Sequence, residues 1–279
     1  MQPFTLNLKG HLTEFTRPVV MGILNVTPDS FYSGSQTFSP EAIRLRAAQL
    51  IHEGADMIDI GGYSSRPGAD EVSADEEMRR VEAGLQAIRA INPDIPVSVD
   101  TFRAVVAEKA VTEMGADIIN DISMGRIDNA MFDTVARLNV PYILMHMRGT
   151  PQTMQTLTGY DDITADVIAE LSAPLHELTL RGVSDIMIDP GFGFAKTLEQ
   201  NYRLFADIDK MIQMLQRPLL VGISRKSMIT RLCGITPDQA LPGTVALNTA
   251  AILKGAAILR VHDVAAARQA VEVTARLMA

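Results

Sequence analysis

Polar residues follow short apolar runs at eight places along the chain, and they carry the side chains that could do chemistry. They are Asn25, Gly61-Gly62, Asp100, Asn120-Asp121, His146, Asp189, Ser224-Arg225-Lys226, and Arg260 with His262. A single aspartate after an apolar run is more often a turn or a helix cap than a ligand. Here, however, such polar side chains recur after each apolar run, and they include carboxylate, amide, ammonium and guanidinium groups. This recurrence predicts one shared binding site.

Two of the loops in this set are long and constrained by glycine and proline. The first extends from Asn25 to Phe38, and the second, residues 61–68, reads Gly-Gly-Tyr-Ser-Ser-Arg-Pro-Gly. Loops of this length in a compact domain are typical of lids and binding loops. Glycine permits close approach of the backbone to a ligand, and the guanidinium of Arg66 can bind phosphate with two parallel hydrogen bonds. In isolation Arg66 would be read as a solvated loop charge.

Two further loops add aromatic and anion-binding candidates. The segment 189–194 brings a carboxylate, two glycines, Phe192 and Phe194 together, and we expect one of the two rings to cover the core. The segment Ser224-Arg225-Lys226-Ser227 is expected to open a helix, with Ser224 as its N-cap. The free N–H groups and the dipole of a helix N-terminus favour an anion.

The eight apolar runs alternate with segments of helical period, and this alternation predicts the fold. The predicted strands are 18–24, 56–60, 96–99, 117–119, 140–145, 185–188, 218–223 and 257–261, and the predicted helices include 40–53, 75–90, 103–114, 162–181 and 239–254. Runs that are apolar throughout are typical of parallel strands covered on both faces. Eight such units predict a (β/α)8 TIM barrel, in which the polar strand ends meet at one mouth; the alternative is an open doubly wound sheet.

The N-terminal segment and the domain organisation complete this prediction. Residues 4–15, with Lys9-Gly10 at their centre, predict a β-hairpin ahead of the barrel. No linker or charge block divides the chain, so we expect a single domain over residues 1–279.

Composition narrows the class of protein. The chain has 279 residues, 47% of them hydrophobic, and a formal charge of −8, which argues against a nucleic-acid partner. No apolar run is long enough to span a membrane, and the N-terminus does not read as a signal peptide. The one cysteine, Cys233, excludes an internal disulfide and fits a reducing cytoplasm. We expect Cys233 to be a small buried residue.

Motifs that span nearly the whole chain resemble those of the dihydropteroate synthase family, in the family's order. They are Met21-Gly-Ile-Leu-Asn-Val-Thr-Pro-Asp-Ser-Phe31, Gly61-Gly-Tyr-Ser-Ser-Arg-Pro-Gly68, Ser98-Val-Asp-Thr101, Ile118-Ile-Asn-Asp121, Leu144-Met-His-Met147, Asp189-Pro-Gly-Phe-Gly-Phe194, Ser224-Arg-Lys-Ser227 and Arg260-Val-His-Asp263. The resemblance implies a transferase of folate biosynthesis. It would join 6-hydroxymethyl-7,8-dihydropterin pyrophosphate to p-aminobenzoate and release pyrophosphate and 7,8-dihydropteroate.

The resemblance also implies a role for each site residue. The catalytic residues would be Lys226, Asp100 and Arg66; the pterin would be bound by Asp100, Asn120, Asp189, Lys226 and Arg260; the pyrophosphate by Asn25, Arg66 and His262; and the p-aminobenzoate by Ser65, Pro67, Phe194 and Ser224. Mg2+ would lie near Asn25, and the family is typically a homodimer and a target of sulfonamides. The implied chemistry is loss of pyrophosphate from the pterin methylene carbon, followed by attack of the arylamine on the resulting cation.

The chain departs from the family pattern in two loops. Ser33 and Ser35 stand where Asp and Gly are expected, and Tyr63 stands where Glu is common. Ser65 replaces the usual threonine and keeps its hydroxyl.

Two other functions remain open at this point. A methyltetrahydrofolate-dependent corrinoid methyltransferase would share the pterin pocket, but it would need neither the 61–68 loop nor the 224–227 segment. A non-catalytic ligand-binding barrel is the second alternative. Release of pyrophosphate from the pterin pyrophosphate would separate the three.

Overall fold

The structure is a computed structural model, and it describes residues 1–27, 39–64 and 72–278. The strands are β1 Phe4–Leu8, β2 His11–Phe15, β3 Val19–Asn25, β4 Met57–Gly61, β5 Val97–Asp100, β6 Ile118–Asp121, β7 Tyr142–Met145, β8 Ile186–Asp189, β9 Leu220–Val221 and β10 Ile258–Val261. The α-helices are α1 Pro40–His52, α2 Ala74–Ile91, α3 Ala104–Thr112, α4 Met131–Leu138, α5 Ile163–Leu180, α6 Leu198–Ala206, α7 Ile208–Leu215, α8 Ser227–Cys233, α9 Leu241–Leu253 and α10 Val264–Met278.

The strands β3 to β10 form one parallel sheet that closes into a barrel. The strand order is β8-β7-β6-β5-β4-β3-β10-β9, and a single parallel bridge between Ile188 and Leu219 joins the two ends. The predicted hairpin is present as well, because β1 pairs antiparallel with β2. The (β/α)8 TIM barrel with an N-terminal β-hairpin is therefore confirmed, and the open doubly wound sheet is excluded.

The hairpin covers the N-terminal end of the barrel. Side chains of β1 join an apolar cluster with residues from the barrel strands, and Phe4 stacks on Phe15 at 5.0 Å. The Asn7 N–H donates to Asp185 at 2.6 Å, which ties the hairpin to the residue before β8. Among the described residues, this end of the barrel is filled by packed apolar side chains, which directs the search for a ligand site to the opposite mouth.

Local signals in the sequence set the helix ends. Ser39 and Ser73 cap α1 and α2 through their side-chain oxygens, as expected for residues that accept the free N–H groups of a first turn. After α1 the chain turns through Gly54 at φ +89°, a left-handed conformation that a glycine adopts without a steric penalty. The return from α1 to the next strand is thus short and defined.

Two sequence predictions, one about the strand at 218–223 and one about the burial of Cys233, were wrong. The strand predicted over 218–223 is only Leu220–Val221, because Pro218 has no N–H for the ladder and Gly222 adds no side chain to pack. Cys233 is exposed, not buried, because it ends the short helix α8 beyond Met228 and Ile229, the residues through which that helix packs. Among the described residues, no helix is long and apolar enough to cross a membrane.

Candidate active site

A cavity of about 850 Å³ occupies the C-terminal mouth of the barrel. Of the residues predicted from the sequence, nine that the structure describes line it: Asn25, Asp100, Asn120, Asp189, Phe194, Ser224, Lys226, Arg260 and His262. A cavity of this size can hold a drug-sized ligand and bury most of its surface. The structure therefore brings the described part of the predicted site together around one space.

The strand register places the first group of polar residues at one level. Asn25 is paired with Gly61, Gly61 with Asp100, and Asp100 with Asn120, across β3, β4, β5 and β6. A Cβ at position 61 would lie 3.2 Å from the Asn25 amide oxygen, so glycine leaves room for that amide. These strand ends form one wall of the cavity.

A charged network forms a layer below this wall. The Arg260 guanidinium donates through Nε to Asp59 Oδ2 at 2.6 Å and through Nη2 to Asp100 Oδ2 at 2.9 Å. Asn120 Nδ2 also donates to Asp59 Oδ2, at 3.2 Å. Asp59 is fully buried, and it lies two residues before Gly61, so its side chain points into the barrel as position 61 does. One guanidinium thus holds two carboxylates at the bottom of the cavity.

This network changes the protonation of its more accessible acid. Burial raises the pKa of Asp100 to about 7, against the opposing effect of Arg260, and the carboxylate of Asp59 raises it further. Physically, one guanidinium is shared by two acids, so protonation of one of them relieves their repulsion. Asp100 can therefore gain or lose a proton near neutral pH.

We expect Asp100 to make the stability of the protein depend on pH. Its pKa is higher in the folded protein than the ordinary 3.8, so its contribution to stability is present below about pH 4 and is lost as the pH rises through about 7. Urea unfolding of the wild type and of Asp100→Asn at pH 5 and pH 8 measures this effect. The wild type should lose stability relative to the variant at the higher pH. A relative gain would show that Arg260 lowers the pKa of Asp100 instead.

The floor of the cavity is made by Asn120, which it shares with the wall, and by the ends of β8 and β9. Asn120 and Asp189 are 4% and 5% exposed, so their polar atoms face the cavity and not bulk water. A Cβ at Gly222 would lie 3.7 Å from Asp189 Oδ2 and 3.9 Å from Lys226 Nζ. Glycine at 222 therefore leaves open the space between these two side chains. Burial raises the pKa of Asp189 and lowers that of Lys226 to about 8, and their mutual attraction opposes both shifts.

The loop after β8 separates the two phenylalanines as expected. Phe192 is completely buried and packs on Phe205 at 5.7 Å between ring centroids, so it is the ring that covers the core. Phe194 is half-buried and lines the cavity, with Lys226 Nζ 4.6 Å from its ring centroid. Lys226 also donates to the carbonyl oxygen of Phe192 at 2.5 Å. Lys226 thus joins this loop to the floor of the cavity.

The segment after β9 does not begin a helix at Ser224. Arg225 has φ +58°, a left-handed conformation, and α8 starts only at Ser227 with Lys226 as its N-cap residue. The Ser224 hydroxyl instead accepts from the His262 N–H at 3.2 Å and lies 3.1 Å from His262 Nδ1. Burial and the neighbouring Arg260 lower the pKa of His262 to about 3, so its imidazole is neutral at pH 7. Ser224 and His262 form one polar corner of the cavity.

Two of the polar strand ends point away from the cavity. Asp121 accepts hydrogen bonds from Ser123 and Gly125 N–H groups and from the Tyr142 hydroxyl, so it stabilises a loop. His146 is completely buried behind the loop after β8. The expectation that all eight strand ends meet at the mouth was therefore wrong for these two residues.

Part of the predicted site lies outside the described residues. These are Ser65, Arg66 and Pro67 of the second loop. Ser33 and Ser35, the two departures from the family pattern in the first loop, also lie outside the described residues. Tyr63 is described: it lines the cavity, contacts Phe102 edge-on and accepts from Gln152 Nε2 at 3.1 Å. The residue that departs from the family's glutamate is thus held at the cavity wall.

Charged residues of the site that the strand-end pattern does not identify include Asp59 and Lys196. Asp59 lies inside β4 and not at its end; a charged residue in a fully buried strand is a usable signal, because aspartate is almost never fully buried unless it is paired. Lys196 lies two residues after Phe194, is 6% exposed and lines the cavity. Nothing adjacent to Lys196 in the sequence marks it.

The described residues provide few ligands for a metal ion. Across residues 1–27, 39–64 and 72–278, no group of three or more His, Cys, Asp or Glu side chains could hold one. Asn25 supplies one amide oxygen at the cavity wall. Mg2+ is commonly bound by one or two protein oxygens together with water and substrate phosphates. This donor set fits a metal that arrives with a phosphorylated ligand, and it does not fit an all-protein metal cage.

Comparison with known proteins places the chain in a family. Residues 21–262 match the pterin-binding enzyme family. A dihydropteroate synthase of Synechocystis sp. is 46% identical over 257 residues, which cover 91% of this chain and 88% of that protein. The chain spans about half the length of the plant bifunctional folate synthesis proteins that it also matches.

Solved structures agree with the sequence relatives. A Yersinia pestis dihydropteroate synthase, in complex with a sulfonamide drug, superposes with a TM-score of 0.91 at 38% identity and covers 99% of both chains. A Xanthomonas albilineans dihydropteroate synthase with 4-aminobenzoic acid gives a TM-score of 0.90 at 40% identity, over 99% of this chain and 98% of that one. With these matches over almost the full barrel, the chain belongs to the dihydropteroate synthase family of pterin-binding enzymes.

Proposed function

We propose that this chain condenses 6-hydroxymethyl-7,8-dihydropterin pyrophosphate with p-aminobenzoate and releases 7,8-dihydropteroate and pyrophosphate. The observation that carries the proposal is the set of buried and half-buried polar side chains at the bottom of the cavity, namely Asp100, Asn120, Asp189, Lys226 and Arg260. The family supports it, since the Xanthomonas synthase binds 4-aminobenzoic acid. The family relationship also favours this reaction over methyl transfer to a corrinoid.

The pterin ring would occupy the deep end of the cavity. It presents an amide edge and an amino group, which need both donors and acceptors that are shielded from water. Asn120 offers both, Asp189 offers acceptors, and Lys226 offers donors. Arg260 is held by two carboxylates in the layer below, and its planar guanidinium can stack on the ring face. The gap left by Gly222 gives the ring access to Asp189 and Lys226.

The pyrophosphate would lie toward the mouth, near Asn25, His262 and Arg66. The neutral imidazole of His262 can donate one hydrogen bond to an anion, and Arg66, outside the described residues, can supply positive charge. Asn25 would hold Mg2+ with its amide oxygen. When bound, Mg2+ neutralises charge on the pyrophosphate and makes it a better leaving group.

The p-aminobenzoate would lie beside Phe194 and Ser224, with Ser65 and Pro67 as further contacts outside the described residues. The Phe194 ring offers an apolar face, and the Ser224 hydroxyl offers a polar one. An amphiphilic arylamine needs both kinds of surface. Its amino nitrogen would then face the methylene carbon of the bound pterin.

The protein would act mainly by binding, orientation and exclusion of water. The bond between the methylene carbon and oxygen breaks, and its electron pair leaves with the pyrophosphate. The arylamine nitrogen then forms the new bond with its lone pair and loses one proton, which the released pyrophosphate can accept. Asp100, Lys226 and Arg66 would stabilise the charges that change during these steps. A closed cavity would keep water from the cation.

The proposal also covers the metal ion, the oligomeric state and the cellular compartment. The protein would use Mg2+, would act as a homodimer by analogy with its family, and would work in the cytoplasm. Its partners would be the two small-molecule substrates, with neither nucleic acid nor membrane.

Pyrophosphate release, with each component omitted in turn, tests the proposed reaction. Release should require the pterin pyrophosphate, Mg2+ and p-aminobenzoate together. Methyltetrahydrofolate with a corrinoid acceptor serves as the parallel assay for methyl transfer. Methyl transfer without pyrophosphate release would identify the corrinoid enzyme, and pterin binding with neither reaction would identify a binding protein.

We expect Arg66→Ala to slow turnover much more than it weakens binding of a pterin that lacks pyrophosphate. The reason is that Arg66, in a loop flanked by glycine and proline, would contact only the distal anion. Calorimetric titration with 6-hydroxymethyl-7,8-dihydropterin, beside steady-state rates with its pyrophosphate, measures the difference. Equal losses for both ligands would indicate a general change of the loop and not the loss of an anion contact.

A further inference from the structure

Lys196 is a buried lysine near the end of the loop after β8, and the roles assigned above do not use it. Its side chain is 6% exposed. Its ammonium lies 3.0 Å from each of three atoms: the carbonyl oxygen of Gly191, the carbonyl oxygen of Phe194 and Nδ1 of His146. A lysine ammonium has three N–H donors, so these partners use all of them. Such complete pairing is what a buried cation requires, because burial lowers the pKa of Lys196 to about 7.

His146 is fixed so that it can serve as one of these acceptors. Its Nε2 lies 3.2 Å from Glu170 Oε2, and the other oxygen of Glu170 accepts from Arg148 Nε at 2.9 Å. The hydrogen bond from His146 lowers the pKa of Glu170 to about 2, and burial lowers that of His146 to about 4. A neutral imidazole beside a carboxylate carries its proton on Nε2, which leaves Nδ1 to accept from Lys196.

The loop that Lys196 contacts has an unusual backbone. Gly191, Gly193 and Ala195 all have left-handed φ values, of +69°, +84° and +49°. Ala195 has no glycine-like freedom, so its backbone is strained in this conformation. Lys196 donates to the carbonyl groups of Gly191 and Phe194, which bracket the turn, and the Phe194 N–H donates to the Gly191 oxygen at 3.1 Å. Lys196 thus holds the turn closed from below.

The same turn carries a predicted ligand residue. Phe192 is anchored in the core by itself, whereas Phe194 has its ring at the cavity. A Cβ at Gly191 would lie 1.9 Å from the main-chain oxygen of His146, so the turn rests directly on this residue. A displacement of Lys196 or His146 would therefore move Phe194 first.

We propose that Lys196 is a positioning residue, which together with His146 and Glu170 fixes the turn that presents Phe194 to the arylamine substrate. This role rests on the proposed function, in which Phe194 contacts p-aminobenzoate. It deepens that function by assigning the recognition of p-aminobenzoate in part to the hydrogen-bonded chain of Glu170, His146 and Lys196.

The kinetic test uses Lys196→Met, which keeps the chain length and removes all three hydrogen bonds. We expect KM for p-aminobenzoate to rise about tenfold or more, because a misplaced contact of this kind is costly, while the Kd for the pterin changes less than about twofold. Lys254→Met is the matched control, since Lys254 also donates to a main-chain carbonyl, that of Ala206, on the outside of the barrel. It should leave both constants unchanged.

A double variant separates positioning from a general structural role. If Lys196 acts through Phe194, then Lys196→Met combined with Phe194→Ala should have the same KM for p-aminobenzoate as Phe194→Ala alone. Additive losses, or a fall in kcat with KM unchanged, would overturn the proposal. An inactive wild type would instead contradict the proposed function, so the two failures are distinguishable.

A measurement on the unchanged protein covers the case in which Lys196→Met does not fold. The nitrogen-15 shifts of His146, assigned with the His146→Gln variant, should show a proton on Nε2 and none on Nδ1 at neutral pH. Glu170→Gln should weaken this preference and raise KM for p-aminobenzoate in the same direction as Lys196→Met. A proton on Nδ1 in the wild type would mean that His146 cannot accept a hydrogen bond from Lys196, and it would contradict the proposal.

Discussion

Replacing Arg260 with methionine is expected to lower the free energy of unfolding by about 3–5 kcal/mol at neutral pH, the cost of breaking a buried ion pair by removing one partner. Arg260 is the cation that both Asp59 and Asp100 contact, at 2.6 and 2.9 Å. Without it, two carboxylates remain close together in a layer where Asp59 has no exposure to water. Denaturant unfolding at pH 7.5 measures the loss.

The pH dependence of this loss distinguishes its cause. If uncompensated carboxylates cause it, the deficit should shrink as the pH falls and Asp100 becomes protonated. A deficit that is the same at pH 5 and pH 8 would indicate lost packing of the arginine side chain instead. The matched control for Arg260→Met is Arg268→Met. Arg268 is similarly buried, and it donates to Asp56 and to the carbonyl of Gly54 away from the cavity. This control variant should lower stability but leave pterin affinity unchanged.

The second large effect concerns the floor of the cavity. Asp189→Ala and Asn120→Ala should each weaken pterin binding by about 1–3 kcal/mol, because each leaves polar atoms of the buried ring without a partner. Both residues are almost completely buried at the cavity, and burial makes such a loss expensive. Calorimetric titration of the folded variants with a pterin measures the change.

The control for this pair is an aspartate at the other end of the barrel. Asp117 is 5% exposed, as Asp189 is, but it pairs with Arg89 and Lys9 beside the hairpin. Asp117→Ala should therefore cost stability without changing pterin affinity. If both Asp189→Ala and Asn120→Ala bind a pterin as tightly as the wild type, the assignment of the pterin to this pocket is wrong.

The barrel could be predicted from the sequence because its strands carry a strong local signal. Buried parallel strands are apolar on both faces, and the runs before Asp100, Asp189 and His262 end within a few residues of the observed strands. The short strand β9 was overestimated because an apolar run does not show how many of its residues pair. Pairing depends on the neighbouring strands, which the sequence of one segment does not contain.

The site could be predicted in part, because strand order in a barrel brings strand ends together. Asp100, Asn120 and Asp189 follow from that rule. His146 does not, because the side chain after a strand can turn toward the cavity or away from it. This choice is made by partners distant in sequence, here Glu170 and Lys196.

The residues that the sequence pattern does not identify are also positioned by partners that are distant in sequence. Asp59 is recognisable only as a charge inside a buried strand, and its partner Arg260 is 201 residues away. Lys196 is set by contacts with His146, 50 residues earlier. Ser224 was assigned as a helix cap, but the left-handed Arg225 delays the helix and frees the Ser224 hydroxyl for His262.

The ratio of the two products tests the central claim most directly. The proposal requires that the bound pterin cation reacts with the arylamine and not with water. Quantifying 7,8-dihydropteroate and pyrophosphate in the same reaction, with p-aminobenzoate in excess, should therefore give one molecule of each. Pyrophosphate released without a matching amount of 7,8-dihydropteroate would show hydrolysis, and it would contradict the account of this cavity as the site of a synthase.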